Sequence, residues 1–236
     1  FCVLVAVAVA NKGKLSSTAA VISLITISVS VFAGERVNFI IRACGGMLAG
    51  LSWKPRLLPF CILIGIELAA VAGFFLANDI LARRFGSQFI NSLPMSENST
   101  FIKIWKGAII AFQESPIIGI GPDVYRKMCP TLTKGFDLVV CHPHPHNYYI
   151  QLLAETGIIG LVAGCTMIAS IILACFSYRK IDKDNIFTAI AYVIPLAFFF
   201  PIRSSGDFFG QWNNQFMWSA IAFALAAGAL LQQRKA

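Results

Sequence analysis

A chain of 236 residues that is 57% hydrophobic and only 13% charged does not read as an ordinary soluble domain, because its apolar residues arrive in long blocks. The formal net charge of +8 would suit a nucleic-acid binder, but Lys and Arg recur in the short gaps between those blocks, where a membrane protein keeps them on its cytoplasmic side. Composition therefore argues against nucleic acid and for an all-α, polytopic transmembrane helical bundle, since lipid offers backbone N–H and C=O groups no partners and long helices satisfy them internally.

The chain opens on the apolar run Phe1–Ala10, with no initiator Met, no basic n-region and no cleavage-site pattern. It does not read as a signal peptide. It reads as the end of a span, and the 236 residues as a C-terminal portion truncated at its N-terminus. Spans follow at 15–33, 37–51 and 57–77, and again at 149–175, 186–202 and 214–231. The gaps 11–14, 52–56, 178–185 and 232–236 carry basic residues such as Lys12, Lys54, Arg179 and Arg234, which places them in the cytoplasm. The other side receives 34–36, 78–148 and 203–213. Three regions result: transmembrane helices over 1–77, one large external loop over 78–148, and transmembrane helices over 149–236 with a short external loop near 203–213. The span 37–51 is the weakest, with Arg42 and a Gly45-Gly46 pair; a re-entrant or tilted piece buried in protein would tolerate both. Glu67 in the span 57–77 is expected to face the bundle interior.

The external loop is not low-complexity. Phe101–Phe112 sets apolar residues at helical spacing with Lys103 and Lys106 among them, the pattern of an amphipathic helix at the membrane surface. Ser115-Pro116 and Gly119–Pro122 end it in turns. Five of the seven cysteines lie in apolar blocks, where Cys is a small hydrophobe. Cys129 and Cys141 lie in the external loop, 12 positions apart. A disulfide between them would clamp 130–140 in an oxidising compartment; spacing alone leaves it open whether they pair.

The most chemically loaded stretch is 142–147, His-Pro-His-Pro-His-Asn. Pro143 and Pro145 push their neighbours into extended or polyproline geometry. In a flat strand the three imidazoles share a face; in polyproline geometry they splay. A three-His metal site, a single His general base held by its neighbours, and a solvated pre-helix loop all fit the pattern. Asn147 can cap the helix that starts near Tyr148, so that His146 is the last residue before a helix end that attracts anions. Gly157 and Gly160 permit close helix approach in lipid, and Glu155 reads equally as a snorkelling or capped acid and as a substrate contact.

His146-Asn147, nine residues, Gly157, two residues, Gly160 resembles the signature of the O-antigen ligase family, the polysaccharide ligase/polymerase superfamily. Gly34-Glu35-Arg36 is similar to that family's Gly-x-Arg motif. Trp105 followed by Pro116–Pro122 resembles its Trp…Pro-x-x-Gly-x-Gly stretch, and Pro201–Phe209 with Trp212-Asn213 its late loop. The resemblance covers about residues 28–218. It implies a multi-pass glycosyltransferase of the bacterial inner membrane whose large loop and active site face the periplasm. The implied donor is a glycan on undecaprenyl diphosphate. The implied acceptor is lipid A–core, another glycan or a protein hydroxyl, with O-antigen ligation to lipid A–core ahead of polymerisation and of protein O-glycosylation. No nucleotide, metal or other cofactor is implied. His146 matches the family's base and Arg36 its diphosphate-contacting Arg. One departure stands out: many relatives carry Arg where this chain has Phe101. Lys103, Arg126 and the Arg83-Arg84 pair are the candidate substitutes, and Arg203 in the other external loop is a further candidate phosphate contact. A membrane metal transporter is the alternative from another class, and it lacks intramembrane ligands beyond Glu67.

Overall fold

The computed structural model describes residues 17–33, 36–52, 57–92, 99–181 and 186–233. The expected span at 1–10, the Glu35 position and the basic gaps at 11–14, 53–56 and 234–236 lie outside these residues. Every regular element among the described residues is helical: α1 Ser17–Ala33, α2 Arg36–Ser52, α3 Leu57–Ala77, α4 Asp79–Phe85, α5 Ser87–Ser92, α6 Thr100–Glu114, α7 Tyr125–Leu132, α8 Tyr148–Ser177 with a 3-10 turn Tyr178–Lys180, α9 Ile186–Ile190, α10 Val193–Phe198 and α11 Gln211–Gln233. Among the described residues one helix, Tyr148–Lys180, is long and apolar enough to cross a membrane; shorter apolar helices run over Ala20–Phe32, Phe39–Ala49, Cys61–Ala77, Thr188–Phe198 and Asn214–Leu230.

Two of the expected spans are interrupted. The stretch 186–202 is split into α9 and α10 by a turn at Ala191-Tyr192. Pro195 explains the split, since its ring meets the carbonyl four residues back, at Ala191, and it has no N–H to offer. In α8 the backbone leaves helical geometry at Gly157 (φ 65°, ψ −165°), so the element is a short helix followed by a long one.

The contacts divide the chain into two compact units. The first holds Phe1–Gly86, Ile171–Phe200 and Ser219–Ala236. In it α1 packs against α2 and α3, and an aromatic cluster links Phe39, Phe75 and Phe85. A buried core joins Ala49, Cys175, Ala189–Val193 and Ala224. Glu67 is buried and accepts a hydrogen bond from Ser23 Oγ at 2.6 Å, and Arg42 donates to Ser30 Oγ at 2.5 Å. On the other side of α1, Val21, Ile25, Val29 and Phe32 are each more than half exposed.

The second unit holds Ser87–Ser170 and Pro201–Trp218. Its core is the face of α6 formed by Ile104, Gly107, Ala108 and Ala111, at the spacing of one helix face. The small residues let α7 lie close: a Cβ at Gly107 would come 2.9 Å from the Tyr125 hydroxyl. Tyr125 is fully buried and donates to the Ile104 carbonyl at 3.3 Å. Burial, with the charge of Glu155, pushes its phenol up to about 12, so it stays a neutral donor. A disulfide joins Cys129 of α7 to Cys141, with Cα atoms 5.8 Å apart, and so anchors the residue next to His142.

Candidate active site

The second unit brings together the segment 142–147, the start of α8 and the loop 201–209. Trp105 on α6 donates its indole N–H to the Pro145 carbonyl at 3.1 Å, which fixes the middle of the His segment. His146 adopts φ 57°, a left-handed conformation that costs a non-glycine residue on the order of 1–3 kcal/mol. The turn is held because Ser205 N–H donates to the His146 carbonyl at 2.9 Å. Asn147 then starts α8: its Oδ1 accepts from the N–H groups of Tyr149 at 3.0 Å and Ile150 at 3.2 Å, while its Nδ2 donates to the Pro201 carbonyl at 2.7 Å. One amide side chain thus caps the helix and ties down the loop.

The three imidazoles converge. Ring centroids lie 4.2 Å apart for His142 and His146, 4.4 Å for His144 and His146, and 5.4 Å for His142 and His144. His146 Nδ1–H donates to the Ser205 carbonyl at 3.3 Å, which leaves the lone pair on Nε2. That Nε2 faces His142 Nε2 at 3.4 Å. Phe101 stands edge-on to His146 at 6.3 Å between centroids. Burial, then the neighbouring charges of His144 and His142, push His146 down to about 4; His144 is lowered too, chiefly by burial. Both rings are therefore neutral near pH 7.

A polar ladder runs down α8 from the cap. Asn147, Gln151 and Glu155, every fourth residue, are all buried. Gln151 Nε2 donates to Asp207 Oδ1 at 2.6 Å and Glu155 Oε2 at 3.1 Å, and its Oε1 accepts from Phe208 N–H at 2.9 Å. Asp207 Oδ1 also accepts from Phe209 N–H at 2.9 Å. Glu155 Oε1 accepts from Tyr125 N–H at 2.9 Å, so this carboxylate braces the start of α7. Sequence reasoning left Gln151, Ser205 and Asp207 without a role. The signal for Gln151 was present: polar residues at every fourth position of an otherwise apolar helix seldom lie there idle.

The glycines of the region serve the loop 116–121. Ile120 and Gly121 donate to the carbonyls of Ala154 and Glu155 at 3.1 and 2.9 Å, and Ile158 donates to Pro116 at 2.9 Å. A Cβ at Gly119 (φ 73°) would sit 2.2 Å from the Glu155 backbone, and one at Gly157 2.3 Å from the Ile117 carbonyl oxygen. The close approach at Gly157 is therefore to loop backbone. At Gly160 a Cβ would meet Thr156 Oγ1, at 1.9 Å.

The basic candidates are spread over both units. Arg203 is part-buried in the loop beside the histidines, and its charge is felt at the Tyr148 hydroxyl. Lys103 is part-buried on α6, two positions from both Phe101 and Trp105 and so on another side of the helix. Arg126 pairs with Asp123 at 2.8 Å with both side chains about half exposed. In the first unit Arg36 opens α2 and Arg84 is exposed at the end of α4.

The geometry offers a neutral imidazole whose Nε2 lone pair faces His142, at a helix N-terminus that favours anions, on a segment fixed by Trp105 and Asn147. The family model described as O-antigen ligase matches residues 1–165, which take in the His segment and both Gly157 and Gly160. The chain belongs to the O-antigen ligase family. It is thereby a member of a superfamily of O-antigen ligase/polymerase-type membrane glycosyltransferases, enzymes that act in general on lipid-linked glycans and acceptors. Comparison with curated proteins and with solved structures finds no match.

Proposed function

We propose that this O-antigen ligase family member transfers a glycan from undecaprenyl diphosphate to a hydroxyl of lipid A–core, at a site facing the periplasm of a multi-pass inner-membrane protein, without metal or other cofactor. His146 Nε2 takes the proton of the acceptor hydroxyl as its oxygen attacks the anomeric carbon. The carbon–oxygen bond to the diphosphate breaks, and its electron pair leaves with the diphosphate. Arg36 and Arg203 bind that developing charge, for which a guanidinium fork is suited; Lys103, Arg126 and Arg84 are secondary contacts. The apolar stripe Val21, Ile25, Val29 and Phe32, exposed on α1, suits lipid contact by the flanking helices.

The observation that carries the reading is the state of His146: held by Ser205 through Nδ1, neutral, with the Nε2 lone pair turned toward His142. Its pushed-down basicity is a property of the free site. A bound diphosphate brings negative charge beside the ring and raises it toward the range where a base works best. In cells, His146→Ala should cut transfer by about a thousandfold with the protein still inserted. Lipid-linked polymer should then accumulate. Accumulation of single lipid-linked repeat units instead would make the chain a polymerase, and full transfer by the variant would remove His146 from the reaction.

A further inference from the structure

We infer that His142, His144 and His146 form a binding site for a divalent cation of the zinc class, and that the bound ion switches transfer off by occupying the lone pair of His146. The inhibitory half rests on the reading of His146 as proton acceptor; the binding half stands on geometry alone.

One ring nitrogen from each of the three residues lies within 4.8 Å of the others. The 3.4 Å between His142 Nε2 and His146 Nε2 equals the edge of a tetrahedron built on zinc–nitrogen bonds, about 3.4 Å for bonds of about 2.05 Å. Orientation agrees with distance. The Ser205 carbonyl accepts from His146 Nδ1. A backbone carbonyl that holds one ring nitrogen and leaves the other aimed into a cluster is how metal-binding histidines are fixed. His144 Nε2 and His142 Nδ1 are buried with no hydrogen-bond partner among the described residues. A direct bond between the two facing Nε2 atoms satisfies that pair alone and leaves His144 Nε2 stranded, and an ion shared by the three rings would engage it.

The scaffold is rigid before any ligand arrives. Pro143 and Pro145 restrict their neighbours, Trp105 holds the Pro145 carbonyl, and the Cys129–Cys141 disulfide anchors the residue before His142. Little ordering remains to oppose binding. Three imidazoles with no carboxylate or thiolate among them favour zinc and its neighbours over magnesium or calcium, which take oxygen ligands. A metal-bound imidazole nitrogen has no lone pair left for a proton, so occupancy and proton transfer at His146 exclude one another.

The test uses the full-length membrane protein, purified without a polyhistidine tag, stripped with chelator and titrated with Zn2+ and Co2+. The expected result is one ion per chain by elemental analysis and the visible bands of four-coordinate Co2+. His142→Ala and His144→Ala should each weaken binding at least about tenfold; two variants are used so that poor folding of one does not decide. Wild-type transfer should fall in proportion to zinc occupancy and return with chelator. No stoichiometric ion, or binding unchanged in both variants, overturns the site and leaves the glycosyl-transfer reading standing. Transfer that is unaffected by bound zinc overturns the inhibitory half. Transfer that requires zinc overturns both the inhibition and the proton-acceptor role of His146.

Discussion

Both units bury polar side chains, and they treat them differently. In the first, Glu67 meets Ser23 and Arg42 meets Ser30, each a contact between neighbouring helices. In the second, Tyr125, Glu155, Gln151 and Asp207 form a connected ladder that leads up α8 to Asn147, next to imidazole nitrogens that have no partner among the described residues. A buried polar group with its partner in place holds structure together, whereas an orphaned one calls for a separate explanation.

The hardest way to break this contrast is to cut the ladder. Gln151→Leu keeps the volume and removes three hydrogen bonds, leaving Asp207 Oδ1, Glu155 Oε2 and the Phe208 N–H each without this partner. The expected cost is about 3 kcal/mol, because stranded buried groups forfeit their desolvation. The loop carrying Ser205 and Arg203 would lose its register, and transfer should fall about a hundredfold. A thermal melt and a transfer assay check the two effects together. A variant that melts as wild type and still transfers would show that the ladder does not position the site.

Much of the local structure was legible because it is written in short-range physics. Gly, Pro and apolar periodicity mark α1, α2, α3, α6 and α11 within a few residues of where the helices lie. The break within 186–202 is hidden in the sequence because Pro195 sits inside an apolar run while its cost falls on the carbonyl at Ala191. The convergence of the histidines was not legible at all. It depends on Ser205, 59 positions from His146, and on Trp105, 40 positions from Pro145, and no local pattern encodes such a pairing. Phe101 shows the same limit: only the fold sets its ring against His146.

A smaller effect sharpens the contrast through pH. Burial and the like charges of His144 and His142 hold His146 near 4, so its neutral, accepting form dominates above that value and is lost as pH falls through it. With chelator present, kcat/KM should stay level down to about pH 5 and drop near 4, reporting the free enzyme. The limb in kcat should lie higher, because bound diphosphate favours the imidazolium. His144→Ala removes one of the like charges, and the limb in kcat/KM should move upward, toward the ordinary histidine value. A wild-type limb that already stands at that ordinary value would mean that the titrating base is not held in this cluster.

The smallest effect is expected in the first unit, where the pairs are closed. Ser23→Ala leaves the Glu67 carboxyl without its hydroxyl donor and should cost about 1–3 kcal/mol. Ser23→Ala with Glu67→Leu removes both partners and puts apolar volume in their place, which is close to neutral when nothing is left stranded. Transfer by the double variant should stay within about twofold of wild type, because the pair bonds α1 to α3 and takes no part in the ladder. The comparison of single and double variants is what gives the measurement its force. If the double variant inserts and melts normally yet loses transfer, Glu67 is doing chemistry, and satisfaction of its hydrogen bond is no longer a sign of a purely structural role.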